Sequence, residues 1–144
     1  MEDLKEFRRS RLADIAATMQ TPTCQETRGQ SLIECVPNFS EGRDAAVVDA
    51  IATAISDGPE VWLLHKTIDA DHHRSVVTFV GTAQGVGEAA LRGIARAAAL
   101  IDLNRHRGAH PRIGAADVVP FIPLGGSQME DCVRIARWVA GQTA

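Results

Sequence analysis

VWLLHKTIDADHHRSVVTFVGTAQGVGEAALRGIARAAAL, Val61 to Leu100, decides the fold, because its apolar period changes from that of a strand to that of a helix. Val61 to Lys66 and Ser75 to Val80 are rich in β-branched and large apolar residues, which fit a pleated surface, and both read as strands. The charged turn Asp69 to His73 separates them. From Val86 the spacing becomes helical, with Ala90, Ile94, Ala97 and Ile101 continuing one face while Arg92 and Arg96 take the other.

Working outward, Leu32 to Val36 reads as a short strand closed by Pro37-Asn38. Val47, Ile51 and Ile55 with Val48 and Ala52 mark a helix face that stops at Gly58-Pro59. On the other side, Val118 to Leu124 reads as one strand. Ser127 to Glu130 has the form of a capping box, and Met129, Val133, Ala136 and Val139 line up as the buried face of a last helix. The order strand, helix, strand, strand, helix, strand predicts an α+β, ferredoxin-like βαββαβ two-layer sandwich with an additional C-terminal helix. Its sheet is expected to be four-stranded and antiparallel, with the helices Asp44 to Ser56 and Ala83 to Ile101 on one face. Leu4, Phe7, Ile15 and Met19 give an N-terminal helical arm, followed by polar linker, so residues 1–30 read as arm and linker and 31–144 as the domain. The arm is expected to pack weakly.

A chain of 144 residues, 45% of them apolar, suffices for one core and requires no second. The net charge of −3 argues against a nucleic-acid binder, whose footprint is usually strongly basic. Cys24, Cys35 and Cys132 are odd in number and widely spaced, which favours reduced thiols in a cytoplasmic protein, with Cys35 and Cys132 in the core. No apolar run approaches the roughly 18 residues of a membrane span, and the charged opening MEDLKEFRRSR lacks a secretory signal.

The chemistry concentrates in HRGAHPRIGAADVVPFIP, His106 to Pro123. Gly108 and Pro111 oppose a continuous helix, at about 1 and 3 kcal/mol respectively, so His106 and His110 read as loop residues. Arg105, Arg107 and Arg112 beside two imidazoles suit a small anionic ligand and a proton transfer near neutral pH. On residue types alone, a solvated basic loop that caps a helix accounts for the segment equally well. A metal set of His72, His106, His110 and Asp71 has suitable ligand types but no compact spacing, so no metal is expected. His72 and His73 are adjacent and cannot point the same way on a strand.

Three motifs in the same order, LIECVPNFSEGRD at 32–44, DADHHRSVVTFVG at 69–81 and HRGAHPR at 106–112, resemble the amino-terminal subdomain of glutamate formiminotransferase, a folate enzyme also found fused to a cyclodeaminase. The resemblance begins near Leu32. It implies transfer of a formimidoyl group from N-formimino-L-glutamate to tetrahydrofolate, the latter a co-substrate, with His110 as the catalytic histidine and His106 at the substrate. It also implies a second subdomain, in cis or in trans, that carries the folate-binding segment. For the two glutamate carboxylates the guanidinium forks of Arg74 and Arg112 are the expected holders. Asn38 and Ser40 sit where a strand end turns toward a helix amino terminus, a place that offers free donors to an anion. Glu41, Asp69, Asp71 and Asp117 are the candidate acids; family members can carry an acid near Thr67, where this chain has none. A homo-oligomer is expected, as is an exposed apolar sheet face. The competing reading is a catalytically inactive binding or assembly half-domain.

Overall fold

The computed structural model describes residues 31–109, 111 and 113–144; the expected N-terminal arm, Cys24, His110 and Arg112 lie outside the described residues. The elements run β1 (Ser31–Cys35), β2 (Asn38–Phe39), α1 (Ala45–Ser56), β3 (Val61–Asp69), β4 (Arg74–Gly81), α2 (Ala83–Leu100), β5 (Ala116–Val118), β6 (Phe121–Gly125) and α3 (Met129–Thr143). They form an α+β structure with one curled, wholly antiparallel sheet. β4 is central: β3 runs along one side of it, while β1 and β2 pair end to end along the other. β6 and β5 in turn flank β1 and β2.

The expected four strands are thus six, and two prolines explain the difference. Pro37 and Pro120 carry no N–H and cannot continue a ladder as donors. Pro120 splits the expected strand Val118 to Leu124 into β5 and β6, while Pro37 closes β1 as expected and the chain resumes beyond it as an unexpected β2; the carbonyls of Pro37 and Pro120 accept Val77 N–H and Val36 N–H respectively, each at 3.2 Å. The capping box is also displaced by one residue. Ser127 N–H turns back to Leu124 O, so α3 starts at Met129, with Asp131 Oδ2 accepting Gln128 N–H at 2.8 Å. Cys132, Ile135 and Val139 form its buried face, whereas Met129 and Val133 are exposed. Two stripes at helical spacing were available to α3, and packing on β6 and α2 selected the one bearing the β-branched Ile135 and Val139.

Alternation along β4 directs Ser75, Val77, Phe79 and Gly81 toward the helices. Phe79 meets Ile33, Cys35, Phe39, Ile51, Ile55 and Val86 in a continuous core, where each large side chain is worth about 1.5–3 kcal/mol of burial. Cys35 and Cys132 are free thiols within it, and burial pushes both upward in pKa. α1 is capped at one end by Asp44, which accepts Ala46 N–H and Val47 N–H. At its other end Arg92 of α2 donates to the carbonyls of Ala54 and Ile55. The sheet face away from the helices carries a cross-strand row of Trp62, Val80, Glu34 and Ile122. Trp62 and Leu64 on the edge strand β3 are more than half exposed. No helix among the described residues is long and apolar enough to cross a membrane.

Candidate functional site

Three segments meet at one end of the sheet: the turn Ser40–Asp44 leading into α1, the β3–β4 turn, and the loop from His106 to Ala115. Gly42 makes the meeting possible. A Cβ at this position would lie 2.1 Å from Asp69 O and 2.3 Å from Arg74 N, so only a residue without a side chain lets the first two turns touch.

The β3–β4 turn sorts its two histidines. Asp69 Oδ1 accepts Asp71 N–H and His72 N–H, and its other oxygen bonds His72 Nδ1 at 2.8 Å, which keeps His72 at the surface. His73 takes a left-handed backbone, φ 50°, a conformation for which histidine is enriched, and is buried. Its Nδ1 accepts Gly42 N–H at 3.0 Å. The ring stacks on that of His106, with centroids 4.4 Å apart and planes at 26°.

His106 is oriented at both nitrogens. Nδ1 lies 2.9 Å from the carbonyl oxygen of Ser40, which can only accept, so Nδ1 carries a proton. Nε2 lies 3.3 Å from Glu41 Oε2. The other oxygen of Glu41 accepts Arg43 N–H at 2.8 Å and Asp44 N–H at 3.0 Å, and stands 3.4 Å from His73 Nδ1. Burial raises the Glu41 pKa, but the two backbone donors and the positive potential of the histidines more than offset it, leaving the carboxyl below its ordinary value. An open cleft of about 590 Å³ adjoins this cluster, lined also by Arg43, Asp44, Ala45 and Ala46.

The far end of the loop is held as firmly. Ser40 Oγ donates to Gly114 O at 2.8 Å, and Ser40 N–H to Ala115 O at 2.9 Å. Asp117 Oδ1 accepts both Ile113 N–H and Gly114 N–H, while its second oxygen pairs with Arg74. Burial raises the Asp117 carboxyl, yet these donors and the guanidinium hold it below the usual carboxylate range. Asn38 closes a local turn by donating to Val36 O. Of the expected site residues, Ser40, Arg74 and His106 therefore converge on the loop, and Asn38 stands at the start of the same segment in β2.

Of the metal set weighed on residue types, His72 is held outward by Asp69 and His110 lies outside the described residues. Glu41, His73 and His106 instead bring three ligand-type atoms within 4.8 Å of one another. His73 Nδ1 already receives Gly42 N–H, so ligation through that atom would require this bond to break. Glu41 and His73 are the pair underweighted in the sequence. Neither carries a signal in the sequence: His73 precedes β4 on a left-handed turn, where strand alternation does not apply, and Glu41 lies in the turn before α1.

Both low carboxyls make a prediction. A carboxyl whose folded pKa is depressed adds stability that is present above its unfolded value and lost as pH falls through the folded one. The ordinary values are 4.5 for Glu41 and 3.8 for Asp117, so thermal stability should decline steeply below about pH 4. Asp117→Asn should destabilise the chain at pH 7 and flatten that acid decline, read from melting temperatures between pH 7 and pH 3. An acid decline as steep as that of the parent would rule out this role for Asp117.

The chain has clear relatives among known proteins. Residues 32–144 match the model of the formiminotransferase domain, N-terminal subdomain. The chain is 53% identical over 107 residues to a glutamate formimidoyltransferase of Thermoplasma acidophilum, covering 74% of this chain and 35% of that protein. It is 44% identical over 109 residues to a glutamate formimidoyltransferase of Streptococcus pyogenes, covering 76% and 36%. With a formimidoyltransferase-cyclodeaminase of Mus musculus the identity is 50% over 106 residues, covering 74% and 20%. The match thus spans about a third of the microbial relatives and a fifth of the animal one.

Proposed function

Since the chain belongs to the family of formiminotransferase N-terminal subdomains, we propose that it supplies the proton-transfer half of a glutamate formimidoyltransferase acting in histidine degradation and one-carbon metabolism. The substrates are N-formimino-L-glutamate and, as co-substrate, tetrahydrofolate, with no metal. The folate-binding segment is assigned to a second subdomain, in cis or in trans, in a cytoplasmic homo-oligomer without nucleic-acid or membrane partners. The frame is read as ferredoxin-like, supported by the order β3, β4, β1, β6 with two short strands added. The domain is taken as 31–144, with 1–30 as arm.

The observation that carries the reading is the anchoring of loop 106–115 at both ends beside an open cleft. In the reaction N5 of tetrahydrofolate adds to the amidine carbon, giving a tetrahedral carbon that bears three nitrogens. N5 must lose a proton, and the glutamate nitrogen must gain one before it leaves. His110 takes the first and delivers the second, help worth about 10²–10⁴ in rate. Arg74 and Arg112 are assigned to the substrate carboxylates, and Asn38, Ser40 and His106 to the wall of the binding site. Ser40 and His106 are bonded to the loop and to Glu41, so their role is to shape that wall.

The test is to mix the chain with a formiminotransferase second subdomain at micromolar concentration. Sedimentation should show self-association or a complex through the exposed sheet face around Trp62, and the mixture should transfer the formimino group to tetrahydrofolate. A complex without transfer would favour the inactive assembly half-domain. A clean monomer that ignores the second subdomain would defeat both readings.

A further inference from the structure

We infer that Glu41 is a positioning residue that seats the head of the His106–Ala115 loop through its ion-pair contact with His106, a role that rests on the reading above only where catalysis is concerned. Glu41 is 4% exposed, yet its segment touches both other parts of the site. Its oxygens divide the work. Oε1 is occupied by Arg43 N–H and Asp44 N–H, which fixes the carboxylate plane at the entrance to α1. Oε2 is left to face His106 Nε2 at 3.3 Å.

With Nδ1 donating to Ser40 O, the Glu41 carboxylate at the opposite nitrogen pairs with the imidazole in its doubly protonated form, and the His73 ring stacked on it limits its tilt. The side chain at the head of the loop is thereby locked in one orientation. A few residues on, Ala109 N–H reaches Asp71 O at 3.4 Å, a long bond with little holding power of its own. The tail of the loop is held independently by Ser40 Oγ and Asp117. Loss of Glu41 therefore removes the hold on Nε2 and loosens the head, leaving Ser40 O on Nδ1, and spares the tail. The ionisable groups around Glu41 are Arg43 and Asp44 on its own segment, His73 from the β3–β4 turn and His106 from the loop.

Glu41→Gln separates these functions, because glutamine retains an acceptor for the two backbone donors but loses the charge that faces His106. Glu41→Asp retains the charge and withdraws it by one methylene. In the chain alone, ¹H–¹⁵N spectra of both variants should show displaced amides for His106 to Ala109 and an altered His106 ring signal, with β1 and β4 amides unmoved. With the second subdomain present, kcat should fall about tenfold or more while the KM for tetrahydrofolate stays within a few-fold. Unchanged loop amides in both variants would overturn the inference, as would displaced amides with full kcat. If Glu41→Gln does not fold, Glu41→Asp alone decides by the same two readouts. If the unsubstituted pair shows no transfer at all, it is the formimidoyltransferase reading that fails, and the spectra still decide the seating.

Discussion

His110→Ala is expected to lower formimino transfer by at least about 10²-fold, in the chain assembled with a second subdomain, while folate affinity stays within a few-fold. The imidazole is assigned to the transition state, where it moves one proton off N5 and one onto the departing nitrogen. Removing it should therefore act on kcat and leave ground-state binding alone. His106→Ala should do less, since both ring nitrogens of His106 are engaged by Ser40 and Glu41. Full turnover in His110→Ala with none in His106→Ala would reverse the two roles. Full turnover in both would reduce the loop to a basic cap and end the enzymatic reading.

Gly42→Ala is the substitution expected to damage the fold most for its size. One added methyl would stand 2.1 Å from Asp69 O, 2.3 Å from Arg74 N and 2.7 Å from Arg74 O, all backbone atoms of the β3–β4 turn. No rotamer change relieves such a contact. The two turns must separate, which breaks Gly42 N–H to His73 and pulls the Glu41 carboxylate away from the histidines. Overpacking commonly costs about 1–3 kcal/mol where side chains can yield, and here the neighbours cannot, so a loss of at least about 3 kcal/mol is expected. For a domain of this size that corresponds to roughly 10 °C or more in melting temperature. A Gly42→Ala chain that melts within about 2 °C of the parent would contradict the close approach of the turns.

Much of the architecture was legible because it is written in local periods. Val61 to Asp69 and Arg74 to Gly81 form the expected hairpin, α1 buries Val48, Ile51, Ala52 and Ile55, and α2 runs from Ala83 to Leu100 with Val86, Ala90 and Ala97 inward. Legibility ended where two local signals competed. The expected stripe Met129, Val133, Ala136 and Val139 and the buried one, Cys132, Ile135 and Val139, share Val139 and both repeat at helical spacing, and only contact with β6 and α2 separates them. The breaks at Pro37 and Pro120 were present in the sequence as two missing donors, but which ladder bonds they interrupt depends on the partner strands.

The sequence by itself determined the alternation of strand and helix, the burial of Cys35 and Cys132, and the membership of residues 32–144 in the formiminotransferase subdomain family, since these depend on residue type and near-neighbour spacing. Only the tertiary structure decided that His73 and not His72 turns inward, and that Glu41 meets His106. The physical reason is range. Ser40 and His106 are 66 residues apart in the chain and bonded at 2.9 Å, and a contact of that kind leaves no period in the sequence, because curling the sheet and closing two turns on Gly42 is what creates it.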